Sequence, residues 1–337
     1  MTRTDDLGVL ARDAALHPDT GRQLCVATGA DRVRFLHGIV TGDVAGTPVG
    51  GGCLSALLTA KGHVVADMRM FVREDDIWIV VDAGQAEPVA GVLSRYAIMD
   101  DFAAVPRPDF ALSSLLGPAA TARLAAIGVD AARLGALADG PRLGHAMLAA
   151  KDGAALWVAS VRELGTDGFW LGAPPAVLAA VHARLATAGT PELDPAAAEA
   201  ARILALEPRF GTEITPDYFP MEVGLGPAID YGKGCYLGQE PIVRIRDRGH
   251  INWRLVGLEI VGPGEPAARD ALESDAKPKA GRVTSAARVP GGGVVALAML
   301  HTSVAVGATI RIHHGDDRIE ARVSAEGAAD GAPPPSR

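Results

Sequence analysis

The stretch Asp230–Arg244, DYGKGCYLGQEPIVR, is unusual chemistry for an otherwise bland chain. Lys233 and Cys235 are separated by a single glycine, and Gln239, Glu240 and Pro241 follow. The thiolate, not the thiol, is the nucleophile, and a neighbouring ammonium favours it. Cys235 with Lys233 is therefore the candidate catalytic pair. Gly232 and Gly234 let the backbone approach a ligand closely or adopt positive φ. Tyr236, Gln239, Glu240, Arg244 and Arg246 are candidate cofactor-binding residues, since guanidiniums suit carboxylates and phosphates. The segment YLGQEPIVR starts a helix with Gln239 and Glu240 in its first turn. As a strand it would instead place Arg244, Arg246 and Arg248 on one face. Each feature has a commonplace explanation. A lone cysteine is usually a small buried hydrophobe, Lys-Gly is usually a turn, and an arginine run is usually a solvated face. Their coincidence at the end of one glycine-rich, aromatic-bearing loop singles them out.

That loop, EPRFGTEITPDYFPMEVGLGPAIDYGKGCYLGQEP, has no periodicity, and long loops in compact domains are functional or disordered. Its Phe210, Ile214, Tyr218, Phe219, Met221 and Ile229 argue for a loop pinned to the body. Before it, PAAAEAARILAL reads as a helix. After it, RLVGLEIVG, AGRVTSAARV, GGVVALAML and ATIRIHHG are short apolar strands separated by Gly or Pro, the pattern of a small barrel.

The N-terminal segment reads as a strand at Leu24–Ala27, a short helix around Asp31–Ile39 with Asp31 as N-cap, and a hairpin turning at Ala60-Lys61-Gly62. A strand, DDIWIVVDA, and a helix with Val89, Val92, Leu93 and Tyr96 on one face complete it. In the middle segment a strand, a Gly-Pro turn and an alanine-rich helix precede two strands joined by Gly165-Thr166-Asp167-Gly168, then an amphipathic helix, AVLAAVHARLATAG. This is an α+β rhythm. No GxGxxG follows a strand and GxxxxGK[ST] is absent, which weakens nucleotide-binding readings. The expected divisions are 1–110, 111–250 carrying the loop at 233–240, a barrel at 251–325, and a disordered tail at 326–337.

With 337 residues, 48% of them hydrophobic, the chain can fill two domains or one large body with an appendage. A formal net charge of −8 argues against non-specific nucleic-acid binding as a whole-protein property, though local patches can contradict the sum. No stretch approaches a membrane span and the start lacks a signal-peptide core, so the expectation is a cytoplasmic protein. The three cysteines, Cys25, Cys53 and Cys235, form neither a disulfide framework nor a metal knuckle. No metal site is expected.

KGCYLGQE at 233–240 matches K-G-C-[FYI]-x-G-Q-E and so resembles the YgfZ family of folate-binding proteins, whose mitochondrial relatives are iron–sulfur cluster assembly factors. GADRVRFLHGIVTGDV resembles the family's G-x-D-x-x-x-F-L-Q-G-x-x-T-x-D-V, with His37 in place of glutamine. LLTAKGHVVADMRMFV, LLGPAA, GRVTSAA and ALAML resemble further family segments, so the resemblance covers most of residues 20–310. It implies the α+β fold of the glycine cleavage T-protein, an aminomethyltransferase using tetrahydrofolate: three subdomains around a central folate cavity, the last a β-barrel.

Three places depart from the aminomethyltransferase pattern. Val89 or Pro88 stands where the catalytic aspartate is expected, Trp170 where a glutamate holds the pterin, and Ala198 where an arginine takes the folate tail. Leu204 and Leu206 also replace the usual Glu and Gly of R-I-E-A-G. A scaffold without its acid–base groups should position a folate rather than turn it over. The resemblance therefore implies a folate-binding accessory protein for assembly or repair of iron–sulfur clusters, with tetrahydrofolate or a derivative bound and client or assembly proteins as partners. No membrane partner and no direct nucleic-acid binding are expected. One thiol cannot hold a cluster alone, so that role would be shared or transient. The alternatives are a folate-dependent transferase, with Asp67, Asp100 or Asp101 as the carboxylate, and a protein-docking module with a vestigial cavity.

Overall fold

The computed structural model describes residues 6–149 and 153–327. The chain forms two compact units. Of the described residues, the first comprises those from 6 to 55 and from 68 to 194; the second comprises Ala56–Asp67 and those from Pro195 onward. The borders expected near 110 and 250 fall inside these units.

In the first unit the elements run α1 (Asp6–Arg12), β1 (Ala15–His17), β2 (Arg22–Thr28), α2 (Arg32–Ile39), β3 (Gly52–Leu58), β4 (Val64–Val72), β5 (Ile77–Asp82), α3 (Ala86–Tyr96) and β6 (Ala103–Pro106). They continue through β7 (Ala111–Leu116), α4 (Ala120–Ala126), α5 (Ala131–Ala138), β8 (His145–Ala149), β9 (Ala155–Glu163), β10 (Thr166–Ala173) and α6 (Pro175–Thr187). Two five-stranded sheets result, ordered β3-β4-β5-β2-β6 and β1-β7-β10-β9-β8. Aromatic side chains join them: the Phe71 ring meets Trp157 edge-on at 4.8 Å, and Trp78 lies 5.3 Å from Trp157. The far end of the β3–β4 hairpin, Ala56–Asp67, belongs to the second unit.

Three local expectations are corrected here. Asp31 holds the N-cap position of α2 but makes no cap hydrogen bond; its carboxylate accepts the N–H of Asp101 instead, at 2.9 Å. Tyr96, expected on the buried face of α3, is 48% exposed, because the helix ends there and its packing stops at Leu93. The expected four-residue loop between β9 and β10 shrinks to a two-residue turn. Glu163 pairs with Thr166, and Leu164 and Gly165 both take positive φ, as a type I′ turn requires.

The second unit contains α7 (Pro195–Leu204), 3₁₀ turns at Pro220–Val223 and Gly226–Ala228, and α8 (Gln239–Arg248). Six strands follow: β11 (Trp253–Val261), β12 (Ala271–Ser274), β13 (Lys277–Arg288), β14 (Val294–His301), β15 (Thr309–His314) and β16 (Asp317–Glu326). They close into a barrel in the order β11-β14-β13-β12-β15-β16, which leaves no free sheet edge. Strand alternation divides the apolar residues. Val256, Leu258, Ala298 and Leu300 fill the barrel, while Leu255, Leu297 and Met299 face outward. Against that outer face pack Ile214, Tyr218, Met221 and Ile229 from the long loop, with Phe210 and Phe219 at the margin. The loop is pinned by burying its own aromatic and aliphatic side chains. Of the expected tail, Glu326 ends β16; residues 328–337 lie outside the described residues.

Candidate functional site

The Cys235 loop is held at both ends. At its start the Asp230 carboxylate accepts the backbone N–H of Gly232 at 2.7 Å and of Lys233 at 3.1 Å, a turn that an Asp two residues before glycine makes readily. At its end Gly238 has φ +79°, and a Cβ there would stand 2.3 Å from the Thr59 carbonyl oxygen. Gly62, at the hairpin tip with φ +80°, faces Pro241 and the Gly238 carbonyl. The hairpin tip and the loop thus close on each other through two glycines, because a side chain at either would hold them apart.

Between these clamps the side chains part. Tyr236 turns inward, 7% exposed, into the apolar cluster that includes Ile214, Met221 and Ile242. Cys235 turns outward and is exposed. The Lys233 ammonium lies 5.4 Å from the centre of the Tyr236 ring, a cation–π distance. The Tyr236 hydroxyl is buried with no hydrogen-bond partner among the described residues. Burial, then the neighbouring Tyr231, pushes its pKa up, so the group is a neutral phenol. A buried phenol O–H without a partner is costly, and it leaves one hydrogen-bonding position open to an incoming polar group.

After Gly238 the chain is helical, so the strand alternative for Arg244, Arg246 and Arg248 is wrong. The reason is the apolar spacing: Ile242 is buried and Ile245 packs on the same cluster, three residues apart as on one helix face. The helix disperses the guanidiniums. Arg244 pairs with Glu240 one turn back at 2.7 Å. Arg246 lies 4.9 Å over the Tyr231 ring and holds Asp247 at 2.6 Å. Arg248 ends the helix, exposed. Gln239 and Glu240 occupy the first turn, as expected, and Glu240 is exposed.

The remaining candidates belong to other elements of the chain. Asp67, on β4, is 4% exposed. Asp100 is in the first unit, where Arg34 holds its carboxylate at 2.6 Å. Cys25 is buried, and burial followed by the charge of Glu87 raises its thiol to about 12, so it is inert; Cys53 is half-buried. Trp170 is 2% exposed and donates its indole N–H to Glu163 at 3.1 Å, while the Ser114 hydroxyl donates to the same oxygen at 2.6 Å. Among the described residues no group of three or more His, Cys, Asp or Glu is placed to hold a metal ion. A cleft of about 660 Å³ in the first unit, lined in part by Arg142, Arg162 and Phe169, is lined by none of the candidate catalytic or cofactor-binding residues.

Sequence reasoning missed the support. Asp230, two residues before Gly232, is a legible Asx-turn signal. The anchor of the loop's beginning had no local signal. Arg202, 5% exposed, uses all five of its donor hydrogens: two on Glu199, one on the Glu207 carbonyl, one on Glu213 and one on Ser285. Glu213 is fully buried and also accepts the Ser285 hydroxyl and the Arg209 N–H. This network ties α7, the loop and β13 together.

Comparison with known proteins agrees with this architecture. The GCVT N-terminal domain family model matches residues 22–233. A chloroplastic protein of Arabidopsis thaliana named as a transferase is 26% identical over 77% of this chain and 58% of its own length. An aminomethyltransferase of Herpetosiphon aurantiacus is 29% identical over 70% of this chain and 64% of its own. The chain thus spans less than two thirds of these two relatives. The tRNA-modifying protein YgfZ of Yersinia enterocolitica is 25% identical over 86% of this chain and 85% of its own length. Among solved structures, the glycine cleavage system aminomethyltransferase T of Bartonella henselae superposes with a TM-score of 0.83 over 96% of this chain and 88% of that one, at 20% identity, which shows a shared fold. Among the described residues no helix is long and apolar enough to cross a membrane. The chain belongs to the GCVT N-terminal domain family, as a YgfZ-type protein related to the glycine cleavage T-protein fold.

Proposed function

We propose that this protein binds tetrahydrofolate or a derivative and acts as an accessory factor in the assembly or repair of iron–sulfur clusters in client enzymes, with Cys235 as the working thiol. The observation that carries the reading is the contrast within one loop: both ends are clamped and Tyr236 is buried, yet the adjacent thiol is exposed. A cysteine held rigidly and outward suits transient contact with a partner's sulfur or metal.

The donor set fits a folate. Tyr236 offers a buried phenol without a partner, and Gln239, Arg244 and Arg246 offer an amide and two guanidiniums for its polar and anionic groups. A bound folate supplies one-carbon carriage; the residues here bind and orient it. The aminomethyltransferase and YgfZ relatives support the folate, while the cluster role rests on the exposed thiol. A second reading, aminomethyl transfer by this chain itself, rests on Asp67, a carboxylate 4% exposed on β4.

The test is calorimetric titration of the protein and of Cys235→Ser with tetrahydrofolate. Saturable micromolar binding, worth about 8 kcal/mol, is expected for both, with client-enzyme activation lost only in the variant. Absence of binding up to millimolar folate contradicts the reading. Turnover of an aminomethyl donor, abolished in Asp67→Asn, would establish the second reading.

A further inference from the structure

The cleft of about 660 Å³ in the first unit has a structure of its own. In the β9–β10 ladder Asp167 stands opposite Arg162, and Phe169 opposite Ser160. Side chains alternate along a strand, so these four share one face, and all four line the cleft. Glu163 and Trp170, bonded to each other, are on the other face. Phe169 belongs to the core cluster with Leu124 of α4 and Leu134 of α5. With Leu10 and Ala120 it gives the cleft an apolar lining.

The polar wall arises where β8 falls short of β9. Pairing of the two strands begins at His145 and Ala159. Next to it the Ser160 N–H donates to the Gly144 carbonyl at 2.8 Å, and the Ser160 carbonyl accepts the Leu143 N–H at 2.9 Å. Two residues opposite one make a β-bulge, a device that re-aims a side chain. Leu143 takes φ +65°, a left-handed conformation uncommon for leucine. The Ser160 hydroxyl donates to the Pro141 carbonyl at 3.2 Å and holds the turn. Arg142, between Pro141 and Leu143, thereby lines the cleft with Arg162. Arg162 follows Ser160 by two residues, so its N–H and C=O point to the same side, where no described backbone group bonds to them.

Both guanidiniums are available. Arg142 makes no hydrogen bond or ion pair among the described residues. Arg162 meets Asp167 at 3.4 Å, with the two side chains 49% and 79% exposed. A pair that exposed contributes little and exchanges partners readily. Asp167 is the one carboxylate among the residues that line the cleft. Half-buried Thr121 adds a hydroxyl that has no partner among the described residues. The volume is that of a small-molecule site, and forked guanidiniums take the oxygens of a carboxylate or phosphate in pairs.

We propose that this cleft binds a small organic anion, its carboxylate or phosphate held by Arg142 and Arg162 and its apolar body set against Leu10 and Phe169. Asp167 competes with the ligand for Arg162 and so limits affinity. The site is separate from the folate reading, none of whose residues line it.

The experiment is calorimetric titration of the full chain with phenyl phosphate and with phenylacetate, using phenylacetamide as the neutral counterpart. Saturable binding of an anion is expected, and the tighter of the two identifies the headgroup. Arg142→Gln should weaken it about tenfold, the loss of a hydrogen bond to a charged group, and Arg142→Lys should recover part of that. Asp167→Asn should tighten it severalfold, a gain that a merely structural role would not produce. The amide resonances of Gly117, Gly140 and Gly168 should shift on binding. The proposal is overturned if neither anion binds at millimolar concentration, or if phenylacetamide binds as tightly as the better anion. Unchanged affinity in Arg142→Gln would also overturn it, as would displacement of the anion by tetrahydrofolate, which would make the cleft the folate site.

Discussion

Two sets of arginines in the second unit do opposite work. Arg202 is buried, and every donor it owns is spent on Glu199, Glu207, Glu213 and Ser285. Arg244, Arg246 and Arg248 lie on an exposed helix, where the first two hold local carboxylates. A buried guanidinium must be satisfied completely or it destabilises the fold, so Arg202 is architectural. An exposed one exchanges partners at little cost, since surface ion pairs contribute little. The same residue type thus fixes the beginning of the loop and leaves its end available to ligands. Cysteine repeats the lesson: Cys25 is sealed in a strand with its thiol raised to about 12, and Cys235 faces solvent.

The largest effect should come from the buried set. Arg202→Met strands Glu213 without its countercharge and should cost about 3–5 kcal/mol, read as a shift in the urea midpoint; Arg244→Met should leave that midpoint nearly in place. The same network sets an acid limit. Burial works against the charge of Glu199, but the hydrogen bond and charge of Arg202 and the charge of Arg209 outweigh it, leaving its pKa below the ordinary 4.5. A carboxylate depressed in the folded state contributes stability that is present above 4.5 and lost as pH falls through its folded value. Thermal melts should therefore show a loss of stability below pH 4.5, and Glu199→Gln should flatten it.

At the loop itself the effects are smaller and more specific. Gly238→Ala puts a methyl against the Thr59 carbonyl at positive φ and should cost roughly 1–3 kcal/mol, with the loop's amide protons exchanging faster. Tyr236→Phe removes an unsatisfied buried hydroxyl, so the free protein should gain about 1 kcal/mol while folate affinity falls. If both properties fall together, the hydroxyl is satisfied within the fold and is not a ligand position.

Much of this was legible in the residues. The loop's Ile214, Tyr218 and Met221 announced that it would be pinned, and the alternation after Trp253 announced the barrel. The spacing of Ile242 and Ile245 fits a helix, although the arginine alternation suited a strand equally well. What could not be read joins residues far apart in sequence: Arg202 to Ser285, Gly238 to Thr59, Lys277 to His301. Periodicity reports which face of an element is buried, not which distant element covers it. The same limit hid the assignment of Ala56–Asp67 to the second unit.

The central claim is that Cys235 is a working thiol at a ligand-responsive loop. Its most direct test is the rate of alkylation at each cysteine, mapped by mass spectrometry with and without tetrahydrofolate. Cys235 should react first, Cys53 more slowly and Cys25 only on unfolding, with folate changing the Cys235 rate alone. Equal rates at Cys235 and Cys25, or a Cys235 rate indifferent to saturating folate, would contradict the account.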